Sequence, residues 1–493
     1  MAVPNARPAP RVERPVSEQT YLIGGADRAL WLGLGPGRVA ILGGGVLAAT
    51  LLAYAGAPLP FAALAAAVAA GWCFTPVGGV TLHEWAGPVA THLGSALTGT
   101  RTRPAELAPT PADGRVDVGR PLTLRASAEL GRLVLVPVTV DGVELGAVAE
   151  RGRTGWDVTC VFATRGLPGF AVADPDEQAR LLAGWADLLT SLTGEYAGRC
   201  RLQWVERAGH QSPAGLRAWT AEHADEQARP YLDLLDSAGT HAMQHETLLA
   251  VQVATGERDQ DRAVREGEAL HRLLAARLGV AEIVPRPLDI AGVALRLRQA
   301  CDVTAETSLF ATGVQAVQVG PASRKIAWDH VRTDDTFHRA FLVTGWPRVG
   351  VGPAWLAPLL VTSIPGAVRT VAVHFEAVPP ALAARRARAA RQGADLDTDD
   401  RARLGFGNGA RERRTQVEAA AAEHDLAAGH VQHRVAAVVV VSAGDLASLD
   451  EASRQVRGSA SSARLDLRPL HGRHADGWAA ALPLCRLRHR QAV

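Results

Sequence analysis

Four aspartates, Asp395, Asp397, Asp399 and Asp400, crowd into six residues. Carboxylates at that spacing can hold a divalent cation, and an Asp-x-Asp pair is a feature of metal-dependent glycosyltransferases. The glycine and closing glutamate of an EF-hand loop are missing. The cluster also follows Arg385, Arg386, Arg388 and Arg391, so a solvated acidic stretch balancing a basic one is the default account. His241 and His245, with Glu246 adjacent, would sit one turn apart were that stretch helical. The zincin spacing fails because Leu249 stands where its second histidine would be. His424, His430 and His433 gather near an expected helix-to-strand junction. No cysteine accompanies them to complete a zinc set. These readings give no metal site.

Nucleotide chemistry is excluded more firmly. Lys325 is the only lysine, in Ser323-Arg324-Lys325-Ile326, with no glycine loop before it and no hydroxyl after it. A P-loop needs both, because the loop cradles the phosphates while the hydroxyl holds magnesium. Gly33-Leu34-Gly35-Pro36-Gly37 follows no strand, so it is not a dinucleotide fingerprint. There is no Gly-x-Ser-x-Gly elbow for a hydrolase. Five widely spaced cysteines make neither a disulfide framework nor a zinc site and fit a reducing compartment. A net charge of +2 gives no direct support for nucleic-acid binding. No catalytic, cofactor-binding or metal residue is expected.

The elements begin with a membrane signal. Val39 to Leu82 is a run of 44 residues without Asp, Glu, Lys, Arg or His, broken at Gly56-Ala57-Pro58-Leu59-Pro60. That leaves two spans, Val39–Ala55 and Phe61 to about Val80. At ~1.5 Å per residue each reaches roughly 26–30 Å, the depth of a bilayer core. Arginines flank both ends and the connecting turn is uncharged, which places both termini in the cytoplasm. The segment Thr81–Thr98, with His83, Glu84, Trp85, Val89, His92 and Leu93, reads as an interfacial helix or a plain connector. Residues 99–114 read as a linker.

Beyond the linker, strands alternate with helices. Leu133–Val140, Asp141-Gly142 and Val143–Val148 form a hairpin signal. Strands follow at Trp156–Ala163, Arg201–Glu206 and Thr247–Val253, with a helix opened by Asp174-Pro175. A polar helix is expected at Leu216–Leu235, a further helix carries Leu270 and Leu274, and a short strand lies near Glu282–Val284. A helix at Ile290–Gln299 closes this half. The second half repeats the order, with strands Arg339–Thr344, Val368–Phe375, Val435–Val441 and Leu465–Leu470. A long charged helical region, Ala381–Ala428, lies between its middle strands. Matching strands are offset by about 170–190 residues, an internal duplication of pattern. The expected fold is therefore a membrane-anchored α/β (α+β) protein. It comprises a tail (1–38), a transmembrane hairpin with the possible interfacial segment (39–98), a linker (99–114), and two similar cytosolic units (115–315 and 316–493).

The sequence resembles an actinobacterial family of PrgI-like membrane proteins associated with conjugative, type IV secretion-like systems. The resemblance runs through Thr20-Tyr21, Leu32-Gly33-Leu34 and Leu202-Gln203-Trp204-Val205-Glu206-Arg207. It continues in Gly320-Pro321-Ala322, Trp328-Asp329, Arg332, Asp334, His338-Arg339 and Trp346-Pro347-Arg348. Glu423, Leu426–His430 and Ala480–Leu484 complete it. The second half is also similar to the amino-terminal, non-ATPase part of VirB-type secretion ATPases. The resemblance implies a non-enzymatic inner-membrane subunit that docks a separate VirB-type ATPase and other channel subunits, with self-association as a further expectation. Trp328, Arg332, Trp346 and Arg348 are candidate docking residues, since Trp and Arg dominate interface hot spots; Arg385, Arg386 and Arg388 join them as a basic face. An EccE-like component of type VII secretion and a membrane-bound transferase using the Asp395–Asp400 cluster are the alternatives.

Overall fold

The computed structural model describes residues 36–77, 80–104, 122–125, 132–165, 170–196, 198–210, 243–303, 319–321, 323–347, 350–403 and 409–487. Helices α1 (Pro36–Tyr54) and α2 (Leu59–Phe74) come first and lie against one another. Gly45 allows the contact: a Cβ there would stand 2.3 Å from that of Ala69. Pro58 and Pro60 force the break between them, as expected. The second helix is shorter than its sequence suggested. Pro76 holds Thr75 extended (φ −74°, ψ 114°), so α2 stops at 16 residues, about 24 Å. Among the described residues, α1 alone has the length and hydropathy to cross a bilayer (Gly37–Tyr54, mean hydropathy 1.5).

Strands β1 (Pro76–Val77) and β2 (Val80–Thr81) pair, and α3 (Leu82–Leu97) follows at once. It runs through Pro88. The expected linker opens with a turn at 99–101 and the strand β3 (Thr102–Pro104), and residues 105–114 lie outside the described residues.

The body is one large antiparallel sheet. Its first half supplies β4 (Leu122–Arg125), β5 (Arg132–Val140), β6 (Val143–Arg151), β7 (Trp156–Arg165), α4 (Pro175–Tyr196), β8 (Cys200–His210) and β9 (Met243–Ala254). Then come α5 (Gln260–Val280), β10 (Val284–Pro287) and α6 (Ile290–Cys301). Its second half supplies β11 (Ser323–Ile326), β12 (Val331–Thr333), β13 (Thr336–Gly345), α7 (Ala357–Leu360), β14 (Ala367–Ala377), α8 (Pro380–Arg403) and α9 (Ala410–Ala427). It ends with β15 (His433–Ala443), α10 (Leu446–Ser462), β16 (Asp466–Pro469) and α11 (His474–Ala481). The helix expected at Leu216–Leu235 falls outside the described residues.

Local chemistry fixes several boundaries. Asp141 and Gly142 both adopt positive φ (51° and 81°), the two-residue turn that matches strand twist between β5 and β6. Carboxylates cap α4, α5, α6 and α10: Asp174, Asp259, Asp289 and Asp445 each accept a backbone N–H from the first turn.

The order across the sheet is β3-β11-β12-β13-β15-β14-β8-β9-β7-β6-β5-β4. In the first half β9 lies between β7 and β8, with β6 on the start of the free edge of β7 and β10 on its end. In the second half β15 lies between β13 and β14, with β12 and β16 sharing the edge of β13 likewise. Each half thus holds a split β-α-β arrangement. The two meet at β8 and β14, paired from Arg369↔Ala208 to Glu376↔Arg201, so no sheet edge separates them.

Alternation along each strand divides the core. Leu135, Val205, Ala250, Ala372 and Val438 face α6 and α11 in one cluster that spans both halves. Phe162, Leu202 and Val251 face α4 and α5, while Phe341, Val371 and Val439 face α10. After α11 the chain crosses into the first half. Buried Gln203 donates to the Ala480 carbonyl (3.0 Å) and accepts from the Cys485 N–H (2.7 Å). Gln252 donates to the Leu484 carbonyl (3.4 Å) and to Glu150 (2.9 Å).

Candidate functional site

Where α3 meets the second half, aromatic rings gather from three segments. Trp328 sits in the turn between β11 and β12, closed by the Ala327 N–H donating to the His330 carbonyl (2.9 Å). Its ring stacks on Trp85 (centroids 5.8 Å, 22°) and on His471 (5.8 Å, 11°), and meets His92 edge-on (5.1 Å). Trp85 also stacks on His471 (5.6 Å) and donates its indole N–H to the Val77 carbonyl (2.9 Å). Offset and edge-on pairs of this kind add about 0.5–1.5 kcal/mol each beyond the area they bury.

The backbone locks the same place. Gly472 donates to the Trp328 carbonyl (2.7 Å) at φ 69°. A Cβ there would meet the Trp328 ring at 3.0 Å and the Pro88 carbonyl at 3.2 Å, so only glycine fits. The Arg101 side chain donates to the His92 carbonyl (3.1 Å), its own carbonyl accepts from Ile326 (2.9 Å), and Arg324 reaches the Thr100 carbonyl (3.2 Å). β3 pairs with β11 alongside. Arg339 holds the Trp328 turn from below, donating to the Asp329 carbonyl (3.0 Å) and to Asp450 (2.7 Å). The helix after the apolar pair is thus joined to the body by ring stacking, hydrogen bonds and a sheet edge together.

Burial disfavours the charged form of the imidazoles here. Burial lowers the pKa of His92, with Arg101 adding to the effect, and burial likewise lowers His471. His474, whose Nδ1 accepts the Ala340 N–H at 3.1 Å, falls to about 3, again through burial first and then His471. Among the described residues no three His, Cys, Asp or Glu side chains are placed to share a metal ion.

The other expected docking residues scatter. Arg332 donates to the Asp334 carbonyl (2.9 Å) and to Asp335 (2.7 Å) and lies over the Phe337 ring (5.2 Å). Trp346 packs near Trp355 (6.5 Å) against the buried cluster beneath α10 and is half-buried there. Arg348 lies outside the described residues. Arg385 and Arg388 are exposed on α8 and Arg386 is half-buried there. α8 and α9 pack as an antiparallel pair, tied by Arg391 to Glu423 (2.7 Å) and by Gln416 to Thr398 (2.7 Å). Asp395 and Asp399 are exposed on the same helix.

The histidine readings change with the structure. His241 lies outside the described residues, and His245 belongs to strand β9 rather than a helix. Its Nδ1 meets Glu206 Oε1 at 2.7 Å, while Glu246, on the other face of the strand, pairs with Arg296 (2.9 Å). His433 opens β15, meets Thr193 at 3.2 Å and is lowered to about 4 by burial, whereas His424 sits on α9. They form no common site.

Sequence reasoning passed over a buried ion pair at the seam. Arg369 of β14 is 1% exposed and Glu206 of β8 is 4% exposed. They approach to 3.4 Å, and Arg369 also donates to the carbonyls of Thr362 (3.0 Å) and Leu360. Burial raises the Glu206 pKa, opposed by Arg369 and His245. The available signal was an arginine, Arg369, at a position of β14 flanked by Val368 and Val371.

No family model matches the chain, and no curated protein matches it significantly.

Proposed function

We propose that this chain is a non-enzymatic subunit of a conjugative or type IV-like secretion apparatus. It is anchored in the inner membrane by the α1–α2 hairpin, with both termini in the cytoplasm, and docks a separate ATPase there. The observation that carries the reading is the rigid joint between an apolar, unburied helix pair and a broad sheet. Val46, Leu51, Phe61, Leu64 and Val68 are more than half exposed, a surface that a water-soluble body does not keep. α2, though short, ends at half-exposed Trp72 and Phe74, side chains suited to the bilayer interface. A short second span is met by local thinning or tilt of its neighbour.

The body is read as two copies of one split β-α-β unit joined through β8 and β14. In the second, the connection between β14 and β15 carries the α8–α9 pair, whose exposed Arg385 and Arg388 offer a basic face to an acidic partner surface. The absence of a P-loop supports a division of labour in which the ATPase is another chain.

The test is purification of the tagged full chain from native membranes in mild detergent, at low and high salt. Recovery of a P-loop ATPase with further membrane subunits, weakened by salt, is the expected result. A lone protein with divalent-metal-dependent transferase activity, lost on Asp397→Ala, overturns it. Recovery with small WXG-type substrates would move the chain to a type VII apparatus.

A further inference from the structure

Helix α3 has two faces that differ in what they touch. One carries Trp85 and His92 into the ring cluster with Trp328 and His471. The adjoining face carries Val89, Leu93 and Leu97, the i, i+4 ridge that continues from Trp85 and turns progressively away from the cluster. These side chains are 39%, 56% and 88% exposed. The positions beside them are Ala86, Ala90 and Ala96, also exposed, and Glu84 is the one exposed charge on the helix. A helix face turned to water ordinarily carries charge. This one does not.

The ridge is continuous with other bare apolar surface. α2 ends at Phe74, and α3 starts at Leu82, after only the short β1–β2 turn. Phe74 and Val77 in that interval are about half exposed, and Trp85 is bonded to the Val77 carbonyl, so the end of α2 and the start of α3 are one apolar margin.

We propose that α3 lies in the bilayer interface, seating Val89, Leu93 and Leu97 among the acyl chains while Trp85 and His92 stay fixed to the body. This rests on the anchored reading above. The occupant is lipid because the ridge extends the apolar surface of the α1–α2 hairpin. It needs no anionic headgroup, since no Lys or Arg flanks the ridge on the helix. A helix so placed sets the distance and tilt of the whole sheet relative to the membrane, because the Trp85–Trp328 contact leaves no swivel between them.

The test uses the full chain in phosphatidylcholine vesicles, with an environment-sensitive fluorophore on Leu93→Cys. The five native cysteines are buried, so labelling is selective. Leu47→Cys on α1 reports the anchor, and Arg388→Cys on α8 reports the body. Lipids brominated near the headgroup should quench the position-93 probe severalfold more than the position-388 probe, with no requirement for phosphatidylglycerol. Quenching at position 47 without quenching at 93 overturns the proposal and leaves the anchor standing. Quenching at neither overturns both. A position-93 probe shielded from iodide yet unquenched by bromolipid also overturns it, since the ridge is then covered by protein.

Discussion

The indole of Trp85, on the helix that follows the apolar hairpin, stacks on the indole of Trp328, from a turn of the second half, with ring centres 5.8 Å apart. That contact joins parts of the chain more than 240 residues apart in sequence, and it fixes the helix after the apolar pair to the body.

Removing either ring should loosen the joint before it unfolds the body. Trp85→Ala and Trp328→Ala are each expected to destabilise the junction. Their double-mutant cycle should return a coupling of about 0.5–1.5 kcal/mol. The measurement is limited proteolysis between residues 98 and 104 in detergent, where both variants should be cut faster. Gly472→Ala should act in the same direction, because its positive φ and the Trp328 ring both exclude a Cβ.

The seam between the halves gives a second expectation. Arg369→Met leaves Glu206 buried without its cation and should cost about 3–5 kcal/mol. Glu206→Gln should cost less, because Arg369 keeps the Thr362 and Leu360 carbonyls as acceptors. Thermal melts of the two single variants and the Arg369→Met/Glu206→Gln double variant check this. The double variant should recover part of the loss.

Acid should weaken the body through its buried imidazoles. His338 is held between Thr333 (2.6 Å) and Ser442 (2.8 Å) and is lowered to about 3 by burial. His374, against the Ala480 carbonyl at 3.0 Å, is also lowered to about 3. The unfolded chain binds these protons near pH 6.5. Between about pH 6.5 and 3 it therefore holds more protons than the folded state, and stability falls as pH falls through that window. The Tm at pH 5 should lie several degrees below that at pH 7.5, and no such drop should appear between pH 7.5 and 8.5.

The cysteines should be inert until the chain unfolds. All five are buried, and burial pushes the thiols of Cys160, Cys301 and Cys485 well up and that of Cys200 to about 12. Alkylation at neutral pH should modify none in the native protein and all five in denaturant, read by intact mass.

The α8 arginines separate docking from folding. Arg385→Ala with Arg388→Ala should leave thermal stability within about 0.5 kcal/mol, as exposed positions do. The same pair should reduce recovery of the ATPase at low salt. Unchanged recovery would remove α8 from the interface.

Much of the body was legible because its strands are long and their patterns strong. Val435–Val441 is an unbroken apolar run, and Asp141-Gly142 states its own turn. The polar edge elements β3, β11 and β12 were not visible. They are three or four residues long, and β3 is completed by partners across more than 200 residues, as in Ser323↔Pro104. The site was half legible. Trp328 stood out by type, but its partners Trp85, His92 and His471 come from segments whose proximity no periodicity encodes. Trp346 stood out for the same reason and lies half-buried at the margin of the cluster beneath α10. The end of α2 was misplaced because hydropathy continues past Phe74 while Pro76 stops the helix.

The crossing of the segment after α11 onto β8 and β9 has a consequence for biosynthesis. Gln203 waits for a partner 282 residues further along the chain, and Gln252 for one 232 residues on. At ordinary ribosomal speed that interval is on the order of 10–60 s. Throughout it the face of β8 and β9 that α11 and the following segment cover is made but bare, while α4, α5 and α6 already cover the rest of the first half. The nascent body therefore stays open on that face until Ala480–Cys485 arrives, and a ribosome stalled before that point leaves a chain with no means of closing itself.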